Sequence, residues 1–203
     1  MKTLATLLAV IITVSSARAE DALMEGGRSP NRHYEVRVSR ESDEGDRLLK
    51  RAATSYAIRI YEAGRSKPVH TLARWGHLHY SAALERCRAL WHSSSQFAVV
   101  SDHPARHYQE IYVIDVSTKH VRHLELPDYL QNALGRVNTT EVDFACVSTP
   151  KRWEGDDLIV ELYFTANGRH TYTCDVTLHL YHEQDSTPHM WLKHVTNPKV
   201  GEG

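Results

Sequence analysis

Tyr34-Glu35-Val36-Arg37-Val38 alternates apolar and charged residues with a period of two, the pattern of a strand that buries one face. Ser55–Tyr61 and Val69–Leu72 are further short β-like runs, with a turn at Ala63-Gly64-Arg65-Ser66-Lys67-Pro68 between them. The pattern is densest between Cys87 and Leu126. Four runs there, Arg88–Trp91, Phe97–Ser101, Glu110–Val116 and His120–Leu126, predict one four-stranded antiparallel meander. After it, Val142–Val147 reads as a strand and Pro150 to Asp156 as a polar loop. Leu158–Ala166, Arg169–Tyr181 and Met190–Val195 are then strand-rich.

Two local signals sharpen this outline. Asn167-Gly168 is a preferred pair for a type I′ hairpin turn, because both central residues need positive φ. A two-residue loop there sets Glu161 opposite Cys174 and Tyr163 opposite Tyr172. One short helix is predicted near 128–135, with Asp128 as N-cap, Gln131 in capping-box position, and Gly135 closing the C-terminus. Its apolar face is Leu130, Ala133 and Leu134. The fold class is therefore all-β, built of about three meander units at 29–73, 87–126 and 142–195 within one domain over 29–196. A β-sandwich is the alternative.

The first 19 residues belong to a different category. Met1-Lys2 is a positive start, Leu4–Val14 an apolar run, and Ala17-Arg18-Ala19 a small-x-small site, together a secretory signal cleaved after Ala19. The apolar run is shorter than the ~20 residues that span a bilayer, and no second run is long enough. Residues 20–28, with Gly26-Gly27, read as a flexible lead-in, and 197–203 as a frayed tail. The expected location is periplasmic or extracellular. The formal net charge is −1, and it becomes more negative once Lys2 and Arg18 are removed. Such a surface offers no electrostatic footprint for nucleic acid.

A repeat connects the units. Ser29-Pro30-Asn31-Arg32-His33-Tyr34 aligns with His92-Ser93-Ser94-Ser95-Gln96-Phe97, each a turn leading into an apolar strand. Ile60-Tyr61-Glu62 aligns with Val113-Ile114-Asp115, and Pro68–Leu72 with His120–Leu124. In Leu90-Trp91-His92-Ser93-Ser94-Ser95-Gln96-Phe97 and Tyr112-Val113-Ile114-Asp115-Val116-Ser117-Thr118-Lys119 the chain resembles the blades of TolB-like and WD-repeat β-propellers. The resemblance covers about 30–195 and implies blade-like units. It departs from the family in lacking glycine at both turns and in having three units where about four are usual. An open stack, a twisted sandwich, or an assembly closed by a partner is then expected. The blade reading also bears on the three cysteines, Cys87, Cys146 and Cys174. A first and a third strand lie about 9.5 Å apart, beyond disulfide reach. Cys87 and Cys146 both fall on first strands of neighbouring units, so the resemblance implies that pair.

Candidate chemistry is sparse. Histidine is abundant, at 14 residues. His77 and His79 would project from one face of a strand, which suits a metal, and they are the first choice if one binds. His103 and His107, His120 and His123, and His179 and His182 are further pairs, none with a specified third ligand. Asp156-Asp157 and Glu161 are the carboxylates available for hydrolysis, while no nucleophile elbow or phosphate loop occurs. Trp75, Trp91, Trp153 and Trp191 lie near strand edges, as core residues or as a binding platform. Asn138-Thr139-Thr140 is a glycosylation sequon, relevant in a eukaryotic source. No catalytic residue and no cofactor is indicated. The leading expectation is an exported, non-enzymatic β-rich protein that binds an unknown macromolecular partner, with oligomerisation possible. A metal-binding protein using His77 and His79, and a hydrolase with an unrecognised site, are the alternatives.

Overall fold

The structure, a computed structural model, describes residues 21–41, 55–75, 85–105, 108–124, 127–139, 142, 146–168, 170–182 and 188–201. Within these, three meanders follow one another along the chain. The first is β1 (Asp21–Arg28), β2 (Tyr34–Glu41), β3 (Ser55–Glu62) and β4 (His70–Trp75). The second is β5 (Arg88–Trp91), β6 (Phe97–Ala105), β7 (Tyr108–Asp115) and β8 (His120–Leu124). The third is β9 (Cys146–Glu154), β10 (Asp157–Ala166), β11 (His170–His182) and β12 (Pro188–Val195), with β13 (Lys199–Val200) added beside β11. Helix α1 (Pro127–Arg136) connects the second meander to the third.

Strand order is sequential in every unit, and all neighbours within a unit are antiparallel. The first and second units join through a parallel bridge between their first strands, Glu25 to Arg88. Gly26 permits this seam. Its φ is +67°, and a Cβ at that position would lie 2.1 Å from the carbonyl oxygen of Ala89. Only a residue without a side chain lets β1 approach β5 so closely.

The units stack in layers. One core holds Val36, Val38, Ile58 and Ile60 of the first meander against Ala89, Trp91, Ala98, Val100 and Ile114 of the second. The other holds Phe97, Val99, Ile111 and Val113 of the second against Leu158, Val160, Leu162 and Phe164 of the third, with Ala133 and Leu134 of α1 packed at its edge. The middle meander is thus buried on both faces, which accounts for the unbroken apolar run Phe97-Ala98-Val99-Val100. Each of the Phe and Val side chains in it, fully buried, contributes about 1.5–3 kcal/mol.

The aligned turns are congruent. Ser29 N–H donates to Tyr34 O at 3.0 Å and Arg32 N–H to Ser29 O at 2.9 Å. His92 N–H donates to Phe97 O and Ser95 N–H to His92 O, both at 2.9 Å. Arg32, Ser95 and Gly155 all take positive φ, at 61°, 63° and 60°. Each turn also bonds to the next. Asn31 N–H donates to Ser95 Oγ at 3.0 Å, and His92 Nε2 donates to Gly155 O at 3.0 Å.

Several expectations need correction. Residues 21–28 are a strand and not a flexible lead-in, because β1 pairs with both β2 and β5. Lys199–Val200 pairs with Tyr172–Thr173 and Gly201 N–H donates to Thr171 O at 2.8 Å, so this part of the tail is held. The stretch 150–154 belongs to β9, and Pro150 is accommodated because β9 is an edge strand with an irregularity opposite Ile159 and Val160. The β10–β11 register places Leu162 opposite Cys174 and Tyr163 opposite Thr173, one residue from the expected pairing. Asn167 and Gly168 do have positive φ. The core decides the register: the even-numbered residues from 158 to 166 and from 172 to 180 are buried, and pairing even with even puts them on one face, which the expected pairing does not. Finally, Gly135 lies inside α1. Asn138, at φ 56°, closes the helix, with Thr139 N–H donating to Leu134 O and Asn138 N–H to Gly135 O.

Candidate functional site: an arginine-lined groove

The alternation in β2 that sends Val36 and Val38 inward sends Glu35, Arg37 and Ser39 to the opposite face. Cross-strand pairing then sets Arg37 opposite Arg59 and Glu35 opposite Tyr61. The β3–β4 turn, made possible by Gly64 at φ 77°, brings Arg65 to the same region. The result is a groove of about 590 Å³ whose lining includes Arg37, Arg59, Arg65, Tyr61 and Asp21. A smaller hollow of about 340 Å³ shares Arg65 and adds Arg32, His33 and Tyr34.

The walls are ordered by their own bonds. Arg37 donates from Nε and Nη2 to Glu35 Oε2 at 3.0 and 2.5 Å, and Arg28 Nη2 donates to Glu35 Oε1 at 3.0 Å. The hydrogen bond from Arg37 holds the Glu35 carboxyl below its ordinary value, against the opposing effect of burial, with Arg28 adding to it. Arg37 Cζ sits 4.7 Å from the centroid of the Tyr61 ring, a cation–π contact that fixes the guanidinium plane. The Tyr61 hydroxyl donates to Asp21 Oδ2 at 3.0 Å. Arg65 is largely exposed, 3.8 Å from Glu62. A guanidinium held in this way, with Arg59 and Arg65 lining the same groove, suits recognition of a carboxylate, sulfate or phosphate group.

The sequence did not single out these arginines. The signal was present in the alternation of YEVRV and SYAIRIY, which puts Arg37 and Arg59 on polar faces, but their adjacency depends on β2–β3 register. His77 and His79 lie outside the described residues. Among the described residues no group of three or more His, Cys, Asp or Glu is arranged to hold a metal ion, and no helix is long and apolar enough to cross a membrane.

The cysteines also part from expectation. Cys87 and Cys174 are buried thiols outside any disulfide, so the Cys87–Cys146 bridge is not formed. The physical reason is the environment of Cys87, whose Sγ donates to Asp102 Oδ1 at 3.0 Å while the Tyr56 hydroxyl donates to the same oxygen at 2.7 Å. This buried cluster ties β3 to β6, and burial followed by the Asp102 charge raises the Tyr56 hydroxyl far above its ordinary value. Burial likewise pushes the Cys174 thiol up to about 11. A thiol raised in this way is poorly nucleophilic at neutral pH.

The other candidates are dispersed. Asp157 is held by Lys193 and by His179, each at 2.6 Å, and these hydrogen bonds lower its pKa. Glu161 stands four residues further along β10, about 13 Å away by strand rise, too far for the two to share one bond-breaking step. Trp91 is buried and stacks on Tyr34 at 6.3 Å. Trp153 donates to Leu90 O at 3.3 Å. Trp191 alone of these three is widely exposed, at 54 %. No family model matches the chain, and no curated protein or solved structure is detectably similar to it.

Proposed function

We propose that the protein is an exported, non-enzymatic β-rich binding module that holds an anionic group of a macromolecular partner against the first meander. The observation that carries this reading is the groove lined by Arg37, Arg59 and Arg65, with the guanidinium of Arg37 fixed over Tyr61. Export is inferred from the Met1–Ala19 leader. The resemblance to propeller blades belongs to the same reading, supported by three sequential meanders with congruent turns. Blade-like layers supply a rigid platform, and the groove supplies the recognition chemistry.

Calorimetric titration with a sulfated oligosaccharide, and with its unsulfated counterpart, tests the proposal. The sulfated probe binds, and Arg59→Gln combined with Arg65→Gln weakens it at least about tenfold, as expected for the loss of two charge-assisted contacts. Equal binding of both sugars, or full binding by the double variant, would sink the reading.

A further inference from the structure

Resting on the reading of the arginine groove as an anion site, we infer that its ligand is an acidic saccharide. The guanidinium groups hold the negative charge of the sugar, and the Asp21 carboxylate accepts one of its hydroxyl groups.

The mouth of the groove is exposed. Asp21, Gly64, Arg65 and Ser66 line it, and all four stand in solvent. Its volume of about 590 Å³ falls within the ~300–1,000 Å³ of small-ligand sites. The turn that carries Arg65, Ser66 and Pro68 is closed at both ends. Arg65 N–H donates to Glu62 O at 3.0 Å, and Val69 N–H donates to Ile60 O at 2.8 Å. The rim is therefore held in place before any ligand arrives.

A carboxylate among arginines points to the class of ligand. In a groove that only gathered negative charge, Asp21 would be a handicap, since it repels every anion that the arginines attract. Its bond to the fold uses one oxygen. The Tyr61 hydroxyl donates to Oδ2 at 3.0 Å, and among the described residues no group donates to Oδ1. The same Tyr61 ring carries the Arg37 guanidinium 4.7 Å from its centroid. One phenol thus positions a cation over its face and a hydrogen-bond acceptor at its hydroxyl. Such a pair matches a ligand whose anionic substituent and hydroxyl are neighbours on a rigid frame, as in a uronate or a sugar sulfate. Ser66 adds a hydroxyl that both donates and accepts. Pro68 adds an apolar ring against which the C–H face of a pyranose packs.

Other anions fit less well. An acidic peptide meets the same arginines but brings no hydroxyl to Asp21. It takes water from Oδ1 and returns nothing, the loss by which polar sites reject ligands that lack the matching group. A phosphate monoester carries about 1.5–2 charges at neutral pH, so Asp21 repels it more than a singly charged carboxylate or sulfate. Asp21 is the specificity-determining residue of the groove.

Calorimetric titration of the full chain at neutral pH with oligogalacturonate, and with oligoglutamate of equal carboxylate number, tests this assignment. The two probes carry the same acid and differ in hydroxyl groups. The wild-type chain binds the saccharide at least about tenfold more tightly than the peptide. Asp21→Ala weakens the saccharide about tenfold and strengthens the peptide. Asp21→Asn keeps an acceptor for Tyr61 and for a sugar hydroxyl, so it retains the saccharide while strengthening the peptide. It serves where the alanine variant folds poorly by circular dichroism. Opposite shifts for two ligands do not come from a loosened fold, which weakens both. Equal affinity for the two probes in the wild-type chain overturns the inference, as does an Asp21→Ala variant whose two affinities fall together. Either result, with the sulfated probe still bound and still lost in the Arg59→Gln and Arg65→Gln double variant, refutes the saccharide and leaves the anion groove standing. Tighter binding of the peptide than of the saccharide refutes it in favour of an acidic protein. A chain that binds none of the probes overturns both readings.

Discussion

Replacing Gly26 by alanine tests how the first two meanders are joined. Gly26 has φ +67°, and an added Cβ would sit 2.1 Å from Ala89 O, a backbone atom that cannot rotate away. Left-handed backbone costs an alanine about 1–2 kcal/mol. Relieving the overlap requires β1 and β5 to separate by about 1 Å, which loosens the Glu25–Arg88 bridge, and each hydrogen bond lost there costs about 1 kcal/mol. With two or three such bonds lost, the sum is about 3–5 kcal/mol. Gly168 supplies the control, with φ +78° and nothing within 4 Å of its Cβ position. Alanine there meets only the backbone cost, about 1–2 kcal/mol. Urea denaturation at fixed pH, read from the midpoint with the slope unchanged, separates the two variants. For a chain of this size the melting temperature falls by about 2–4 °C per kcal/mol, so Gly26→Ala melts about 6–20 °C low and Gly168→Ala about 2–8 °C low. Equal losses at the two glycines would refute the close approach of β1 to β5 as the reason for Gly26.

Two further outcomes are expected. Tyr56→Phe removes one donor from the buried Asp102 carboxylate and costs about 1–3 kcal/mol; a variant as stable as wild type in the same urea assay would show that the Tyr56–Asp102 bond does not hold β3 to β6. Because the folded pKa of Glu35 lies below its ordinary 4.5, its contribution is complete above that value and is lost as pH falls through the folded pKa. Arg37→Gln should therefore flatten the fall in stability below pH 4.5, and an acid limb as steep as in wild type would count against the Arg37–Glu35 pair.

The layering could be read from the chain once its meaning was clear. YEVRV in β2 and the run from Leu158 to Ala166 carry polar residues at alternate positions, so they belong to outer layers. Phe97-Ala98-Val99-Val100 has no polar face, so it lies between two sheets. The β10–β11 register was also legible, since apolar residues fill the even positions from 158 to 166 and from 172 to 180. Turn length pointed one residue away, and the burial of ten side chains outweighs a preference of one turn. The short strand β1 was less legible because its glycines resemble a linker when the strand it approaches is unknown.

The sequence alone determined the all-β class, the sequential meanders and the short helix, because period-two alternation and turn residues act over a few neighbouring positions. It also carried the congruent turns, since the same local bonds formed by Ser29–Tyr34 recur at His92–Phe97. The tertiary structure decided which residues meet across strands and layers. Arg37 reaches Arg59, Glu161 reaches Asp175, and Cys87 turns to Asp102 through pairings between residues distant in the chain. No local pattern encodes those meetings, because each depends on a register set by the packing of whole faces. The groove is a product of that packing.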